Sequence, residues 1–315
     1  MSDGEALAEL LAGLRGPVKS IASKYHYDER GSRLFEEITE LEEYYLTRTE
    51  RRLLKRWMPG LVEDLRPKTL VELGAGSAEK SRIILDAMRA AGCGRAYVPV
   101  DVAADFLHQT AAALEEEYPD LEIVPTVADI GEPLDLPERL PHPRWVAFLG
   151  STLGNFEDGS ARTLLRRISS RLHHGDRFLL GVDLRPGPKK SVATVEAAYN
   201  DAQGVTARFS LNILAVLNQE FGSDFDLQGY RHRSRYNQER GRIETYLDAV
   251  RDQVVHFPGG ETITVARGEG IRTEISAKYD RDVIDELFAA ADLAVDRWLE
   301  DGEGLYGLVL SAATE

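Results

Sequence analysis

The sequence predicts an α/β protein, a doubly wound parallel sheet carrying a second, smaller α+β domain, and three observations predict it. From residue 68 to 187 short apolar, β-prone runs alternate with helical stretches, the pattern of a parallel sheet covered on both faces. The first run leads through Val71-Glu72-Leu73-Gly74-Ala75-Gly76-Ser77-Ala78-Glu79-Lys80, a strand, a glycine turn and the start of a helix. That geometry points backbone N–H groups at a bound ligand. After Pro186-Gly187-Pro188 the alternation stops, helices and period-2 segments follow, and the α/β pattern resumes near residue 279. The expected division is a core of 49–187 plus 279–315 and a second, smaller domain of 1–48 plus 188–278.

Each element has its own signal. Residues 5–14 read as a short helix ended by Gly16-Pro17. Lys24-Tyr25-His26-Tyr27-Asp28 is an aromatic cluster ahead of a helical stretch carrying Leu34, Phe35 and Ile38. After Glu43-Tyr44-Tyr45-Leu46, the run Thr47-Arg48-Thr49-Glu50 fits a capping box with Thr47 as N-cap and Glu50 at N3, and Leu53, Leu54, Trp57 and Leu61 give the helix its buried face. Five strands are expected, at Thr69–Leu73, Ala96–Val100, Leu121–Val127, Trp145–Leu149 and Arg177–Val182. They end respectively at the glycine turn, Asp101, Asp129-Ile130, Gly150-Ser151-Thr152-Leu153-Gly154-Asn155 and Asp183. Polar residues gathered at the carboxyl ends of parallel strands are where such sheets bind ligands.

The ligand class follows from the glycines and acids. A full G-x-G-x-x-G is missing, because Glu79 and Lys80 stand where the third glycine would fall. A dinucleotide pyrophosphate needs that close approach, and a ligand without phosphates does not. Asp101 suits the ribose diol of either class of nucleotide, and Asp129-Ile130 suits an adenine amino group and ring. Together they favour S-adenosylmethionine over NAD, and a methyltransferase over a dehydrogenase.

Beyond residue 188, Ser191–Asp201 and Ala207–Phe221 read as helices, the second with Leu211, Leu214 and Ala215 on one face, extended by Ile213, Val216 and Leu217 and interrupted by Asn212. Arg242–Val250, Gln253–Phe257, Thr262–Val265 and Thr273–Lys278 read as antiparallel strands, followed by a helix (Asp282–Asp292) and the strand Tyr306–Ala312.

Composition narrows the partners. The chain has 315 residues, 43% of them hydrophobic, and a net charge of −15, which argues against nucleic acid or an anionic membrane as partner. The basic run Arg231-His232-Arg233-Ser234-Arg235 is expected to be solvated surface. The single cysteine, Cys93, allows no intrachain disulfide, and the histidines show no metal-ligand spacing, so no metal is expected. With no secretory leader and no apolar run of membrane-spanning length, the expectation is a cytoplasmic monomer acting on a small molecule.

Four stretches carry a resemblance. Tyr44-Tyr45-x-Thr-Arg-Thr-Glu, Val71-Glu72-Leu73-Gly74-x-Gly76-Ser77, Phe148-Leu149-Gly150-Ser151-Thr152-x-Gly154-Asn155 and Thr273-Glu274-Ile275-Ser276-x-Lys278 resemble the ergothioneine-pathway L-histidine Nα-methyltransferases. The match runs in order from about Lys24 to the C-terminus. It implies a Rossmann-like class I methyltransferase core and transfer of three methyl groups from S-adenosylmethionine to the α-amino group of histidine, giving hercynine. Carried over by position, Gly74, Gly76, Ser77, Lys80, Asp101, Asp129 and Ile130 would contact the donor, and Tyr44, Asn155, Tyr199, Thr245, Glu274 and Ser276 would contact the amino acid. Tyr27 would lie close to the reacting amine, where its π face could stabilise the cationic product. Asn155 would orient the amine lone pair, although an amide cannot act as a base. Glu274 would accept the imidazole N–H with Ser276 on the other edge.

Taken singly, these residues have ordinary alternatives: Tyr199 as core, Asn155 as a helix cap, Asp129 as a turn cap and Glu274 as a solvent-facing strand residue. One departure stands out. Thr245 occupies the position where the family commonly has methionine beside the substrate ring, which changes the pocket's size or adds a hydrogen bond. The alternatives are therefore the same reaction on another aromatic amino acid and, from other classes, a non-catalytic binding module or an NAD-dependent oxidoreductase.

Overall fold

Predominantly apolar strands of a parallel sheet are buried on both faces, and Thr69–Leu73 and Arg144–Phe148 are buried at every position, Glu72 and Arg144 included. The computed structural model describes residues 3–132, 137 and 139–314. The chain divides into two compact units, Met1–Tyr45 with Ser191–Ala277 and Leu46–Lys190 with Lys278–Glu315.

In chain order, α1 (Asp3–Leu14) and α2 (Glu29–Thr39) begin the first unit. Next come α3 (Tyr45–Leu65), β1 (Thr69–Leu73), α4 (Glu79–Ala90), β2 (Ala96–Asp101), α5 (Ala104–Glu117), β3 (Glu122–Ile123), β4 (Thr126–Val127), β5 (Arg144–Phe148), α6 (Asp158–Ser169) and β6 (Arg177–Asp183). The chain then returns to the first unit with α7 (Val192–Ala197), α8 (Val205–Phe221), β7 (Tyr230–Asn237), β8 (Arg242–Ala249), β9 (Gln253–His256), β10 (Thr262–Val265) and β11 (Gly270–Ala277). Helix α9 (Arg281–Ala289) and strands β12 (Leu293–Glu300) and β13 (Tyr306–Ala313) complete the second unit.

The second unit is built on one sheet in the order β12-β13-β6-β5-β1-β2-β3, with β4 also pairing β2. Pairing is parallel from β6 to β3, and β13 runs antiparallel to β6 and β12. The third expected strand is two short pieces, because Pro125 between them has no N–H to give the ladder. Strand β12 was not expected; its bulge between Val295 and Arg297 and its mostly exposed side chains erase the alternation that marks a strand. Helix α3 begins at Tyr45, so Thr47 lies inside it and is no N-cap. Its buried row is Leu54, Met58 and Val62, with Trp57 and Leu61 only half-buried.

The first unit packs α1 (Leu10, Leu14) and α8 (Ile213, Leu217) against the antiparallel sheet β11-β8-β7 (Ile271, Leu247, Tyr230). The buried side of α8 includes the expected Leu214, Ile213, Val216 and Leu217 and also Phe209, while Leu211 and Ala215 are half-buried at its margin. Asn212 is buried there and donates to Asp28 Oδ1 at 2.7 Å, the carboxylate that caps α2 through Gly31. A bulge between Arg272 and Glu274 shifts the alternation of β11 by one residue. Ile271 pairs with Leu247 and Glu274 with Thr245, so apolar core residues and polar residues share one sheet face. No helix among the described residues is long and apolar enough to cross a membrane.

Candidate active site

In the second unit the chain reverses direction across the sheet at β1, which pairs β2 on one side and β5 on the other. Ligands of doubly wound sheets sit outside the strand ends at such a switch point. Gly74 and Gly76 turn there with φ of 71° and 50°, the left-handed region that glycine enters without steric cost. The amides of Gly74 and Ala75 donate to Val100 O at 2.8 and 3.0 Å, tying the loop to β2. Gly76 N–H donates to Asp101 Oδ2 at 3.0 Å and Ala103 N–H to Oδ1 at 3.1 Å, so the Asp101 carboxylate is held by two amides at the strand end. Ala128 N donates to Asp101 O at 3.0 Å, which brings Asp129-Ile130 to the same edge. Asp129 is exposed and its Oδ1 accepts from Gly131 N at 2.8 Å, the turn-capping geometry. Asn155 ends the short turn Thr152–Asn155 after β5 and is half-buried. Helix α6 has Glu157 as its N-cap, so Asn155 does not cap it.

Glu50 is the residue that sequence reasoning misplaced. It is fully buried, and it accepts from Lys80 Nζ at 2.9 Å, from Gly150 N at 2.9 Å and from Tyr306 Oη at 2.8 Å. Lys80 in turn lies against the loop after β5: a Cβ on Gly150 would stand 2.9 Å from its Nζ. Gly181 makes room for the carboxylate, since a Cβ there would fall 1.9 Å from Glu50 Oε1. Glu50 therefore joins the first turn of α4 to the loop after β5. Its place in the Tyr-Tyr-x-Thr-Arg-Thr-Glu stretch was a usable signal, but the capping-box reading absorbed it.

In the first unit the expected aromatic residues assemble around Phe35 and Phe209. Tyr27 meets Phe35 and Phe209 edge-on with centroids 5.8 and 5.7 Å apart, Phe35 meets Tyr44 at 6.3 Å, and Tyr44 meets Tyr199 at 6.3 Å. Tyr199 donates its hydroxyl to Ser276 Oγ at 2.9 Å. Thr245 is fully buried, shares a hydrogen bond with Ser234 Oγ at 2.7 Å, and stands opposite Glu274 in the strand pairing. Tyr27, Tyr44, Tyr199, Thr245, Glu274 and Ser276 thus all belong to one unit, with aromatic faces at one end and hydroxyls and a carboxylate at the other. Phe209, stacked on buried His26 at 4.6 Å, is the ring this cluster closes on, and nothing in an apolar helix singles it out beforehand.

The chain matches the profile of the S-adenosylmethionine-dependent, histidine-specific methyltransferases over residues 6–313. It belongs to that family. The histidine N-alpha-methyltransferase of Mycolicibacterium smegmatis is 40% identical, the alignment covering 98% of this chain and 96% of that one. The enzyme of the same name from Mycobacterium tuberculosis is 39% identical, over 96% and 94%. Among solved structures, an S-adenosylmethionine-dependent methyltransferase from Clostridium acetobutylicum superposes with a TM-score of 0.51 at 10% identity, covering 89% of this chain and 98% of that one, a likeness of fold.

Two further carboxylates of this methyltransferase lie near the strand ends and serve the fold. Asp183, expected at the ligand edge, is fully buried and accepts from Lys278 Nζ at 2.7 Å and from Lys190 Nζ. Burial opposes its charge, but the two ammonium groups prevail and hold its pKa below the ordinary value. Glu72, on β1, accepts from the Tyr97 hydroxyl, and burial pushes its pKa up to about 7.

Proposed function

We propose that the protein transfers three methyl groups from S-adenosylmethionine to the α-amino group of L-histidine, giving hercynine, a step of ergothioneine biosynthesis. The observation that carries this reading is the grouping of Tyr27, Tyr44, Tyr199, Glu274 and Ser276 in one unit of a chain from this family. In this reading Leu46–Lys190 with Lys278–Glu315 binds the donor, and Met1–Tyr45 with Ser191–Ala277 recognises the amino acid.

Gly74, Gly76, Ser77 and Lys80 line the donor, Asp101 accepts from its ribose hydroxyls, and Asp129 and Ile130 meet the adenine amino group and ring. A carboxylate already fixed by two backbone amides suits a ribose diol, because no side-chain freedom is lost on binding. Tyr44 donates to the substrate carboxylate without adding a positive charge near a sulfonium, and Tyr199 lines the amino-acid site and orients Ser276 by donating to its Oγ. Glu274 accepts the imidazole N–H and Ser276 engages the other edge, a pairing that penalises rings lacking the donor. Asn155 orients the α-amine lone pair, and Tyr27 faces the trimethylammonium product.

The neutral amine attacks the methyl carbon in line. The N–C bond forms as the S–C bond breaks with its electron pair going to sulfur, and each of the first two cycles releases a proton before the next. Positioning is the protein's main contribution, and oriented encounter supplies on the order of 7–11 kcal/mol. The transfer uses S-adenosylmethionine as donor and no metal. Calorimetry on Glu274→Ala tests the substrate assignment: histidine affinity falls at least about tenfold while donor affinity is kept. Unchanged histidine affinity would remove Glu274 from the pocket.

A further inference from the structure

We propose that His232 is a positioning residue for amino-acid recognition, acting through Tyr199. The inference rests on the reading of Tyr199 given under Proposed function and names a residue outside that set.

The basic run Arg231–Arg235, expected to be solvated throughout, splits across the sheet. It lies on β7, where alternate residues face opposite ways, so Arg231, Arg233 and Arg235 share one face and His232 and Ser234 the other. Arg231 and Arg235 are exposed, and Arg233 pairs with Asp248 at 2.5 and 2.8 Å. His232 points to the side of α8. Its Nε2 lies 2.8 Å from the carbonyl oxygen of Tyr199 and its Nδ1 lies 3.0 Å from Ser210 Oγ, whose residue is fully buried. A carbonyl can only accept, so Nε2 carries the proton and Nδ1 accepts from the serine. Burial lowers the His232 pKa, which favours the neutral ring that this arrangement needs.

Tyr199 lies in the turn just after α7, where helical carbonyls lose their partners. Strand β7 is the edge of the sheet β11-β8-β7, and among the described residues its outward backbone groups have no strand to pair. Side chains around this turn supply both needs. Glu196 accepts from Tyr236 N at 2.9 Å, and Asn200 donates to Ser234 O at 3.1 Å and accepts from Ser234 N at 3.3 Å. His232 adds the bond to the Tyr199 carbonyl itself. Tyr199 is then held at both ends, by His232 at its backbone and by Ser276 at its hydroxyl. A shift of the backbone end moves the hydroxyl relative to Ser276, Thr245 and Glu274, the polar group that the reading assigns to the substrate.

The test is a double-mutant cycle read on KM, kcat and donor affinity. His232→Leu raises KM for L-histidine about tenfold with a smaller change in kcat and unchanged S-adenosylmethionine affinity, and His232→Gln, whose amide can still donate to the carbonyl, recovers most of the loss. In a Tyr199→Phe background, which has no hydroxyl to place, His232→Leu adds less than about twofold. If the leucine variant does not fold, His232→Gln and His232→Asn make the same comparison, since the shorter amide cannot reach. Fully additive effects, or an unchanged KM, would overturn the proposal while leaving Tyr199 in place. An unchanged KM in Tyr199→Phe alone would instead remove Tyr199 from the pocket, and the proposal with it.

Discussion

Glu50 and Gly150 are 100 residues apart in sequence, yet both carboxylate oxygens of Glu50 lie 2.9 Å from the Gly150 amide. The same carboxylate holds Lys80 at 2.9 Å, so one buried carboxylate ties the start of α4 to the loop after β5 at the switch point of the sheet. Glu50→Gln keeps the shape and removes the charge. Hydrogen bonds to a charged group contribute about 1.5–3 kcal/mol, so donor affinity measured by calorimetry falls about tenfold or more. Histidine affinity measured separately stays near that of the parent protein.

Gly181→Ala attacks the same network by volume. The added Cβ would fall 1.9 Å from Glu50 Oε1 and 2.7 Å from Tyr306 Oη. Overpacking of this kind costs about 1–3 kcal/mol or more, and thermal unfolding shows it as a lowered Tm. Gly74→Ala is the control: nothing lies within 4 Å of its Cβ, and only its φ of +71° opposes alanine, at roughly 1–2 kcal/mol.

The pH dependence has opposite signs in the two units. His26 is buried against Phe209 and its pKa is lowered from 6.5 to about 4. Its stabilising contribution is present above pH 6.5 and is lost as pH falls towards 4, so acid weakens the first unit. Glu72 is raised from 4.5 to about 7. Its contribution is complete below pH 4.5 and is lost as pH rises through 7. In unfolding scans, His26→Phe flattens the acid limb and Glu72→Gln flattens the fall between pH 4.5 and 7.

Asp183→Asn leaves Lys190 and Lys278 facing a neutral amide, and these lysines stand where the chain leaves the second unit and returns to it. Removing one partner of a buried ion pair costs about 3–5 kcal/mol, which denaturant unfolding measures directly.

Much of this architecture was legible because the hydrophobic pattern was strong. Strand β1 matches its expected span residue for residue, and Asp101 lies at the end of β2 as the alternation required. The misreadings came from residues whose partners are distant in sequence. Glu50 reads locally as the second half of a capping box that α3 does not form, and only the folded sheet brings Gly150, Gly181 and Tyr306 to it. Asp183 looks like any acid at a strand end until Lys190 and Lys278 close over it. His232 was hidden between arginines because charge runs average over both faces of a strand, whereas burial does not. The bulge that aligns Glu274 with Thr245 has no short-range signature in Arg272-Thr273-Glu274.

The reaction is defined by whose nitrogen receives the methyl groups. Incubation of the purified protein with S-adenosylmethionine and a panel of single amino acids, followed by mass spectrometry, reads it directly. The expected result is L-histidine carried through mono- and dimethyl forms to the trimethylated betaine, with other amino acids, tryptophan and tyrosine included, left unmodified. Unmethylated histidine alongside turnover of a different amino acid would contradict it.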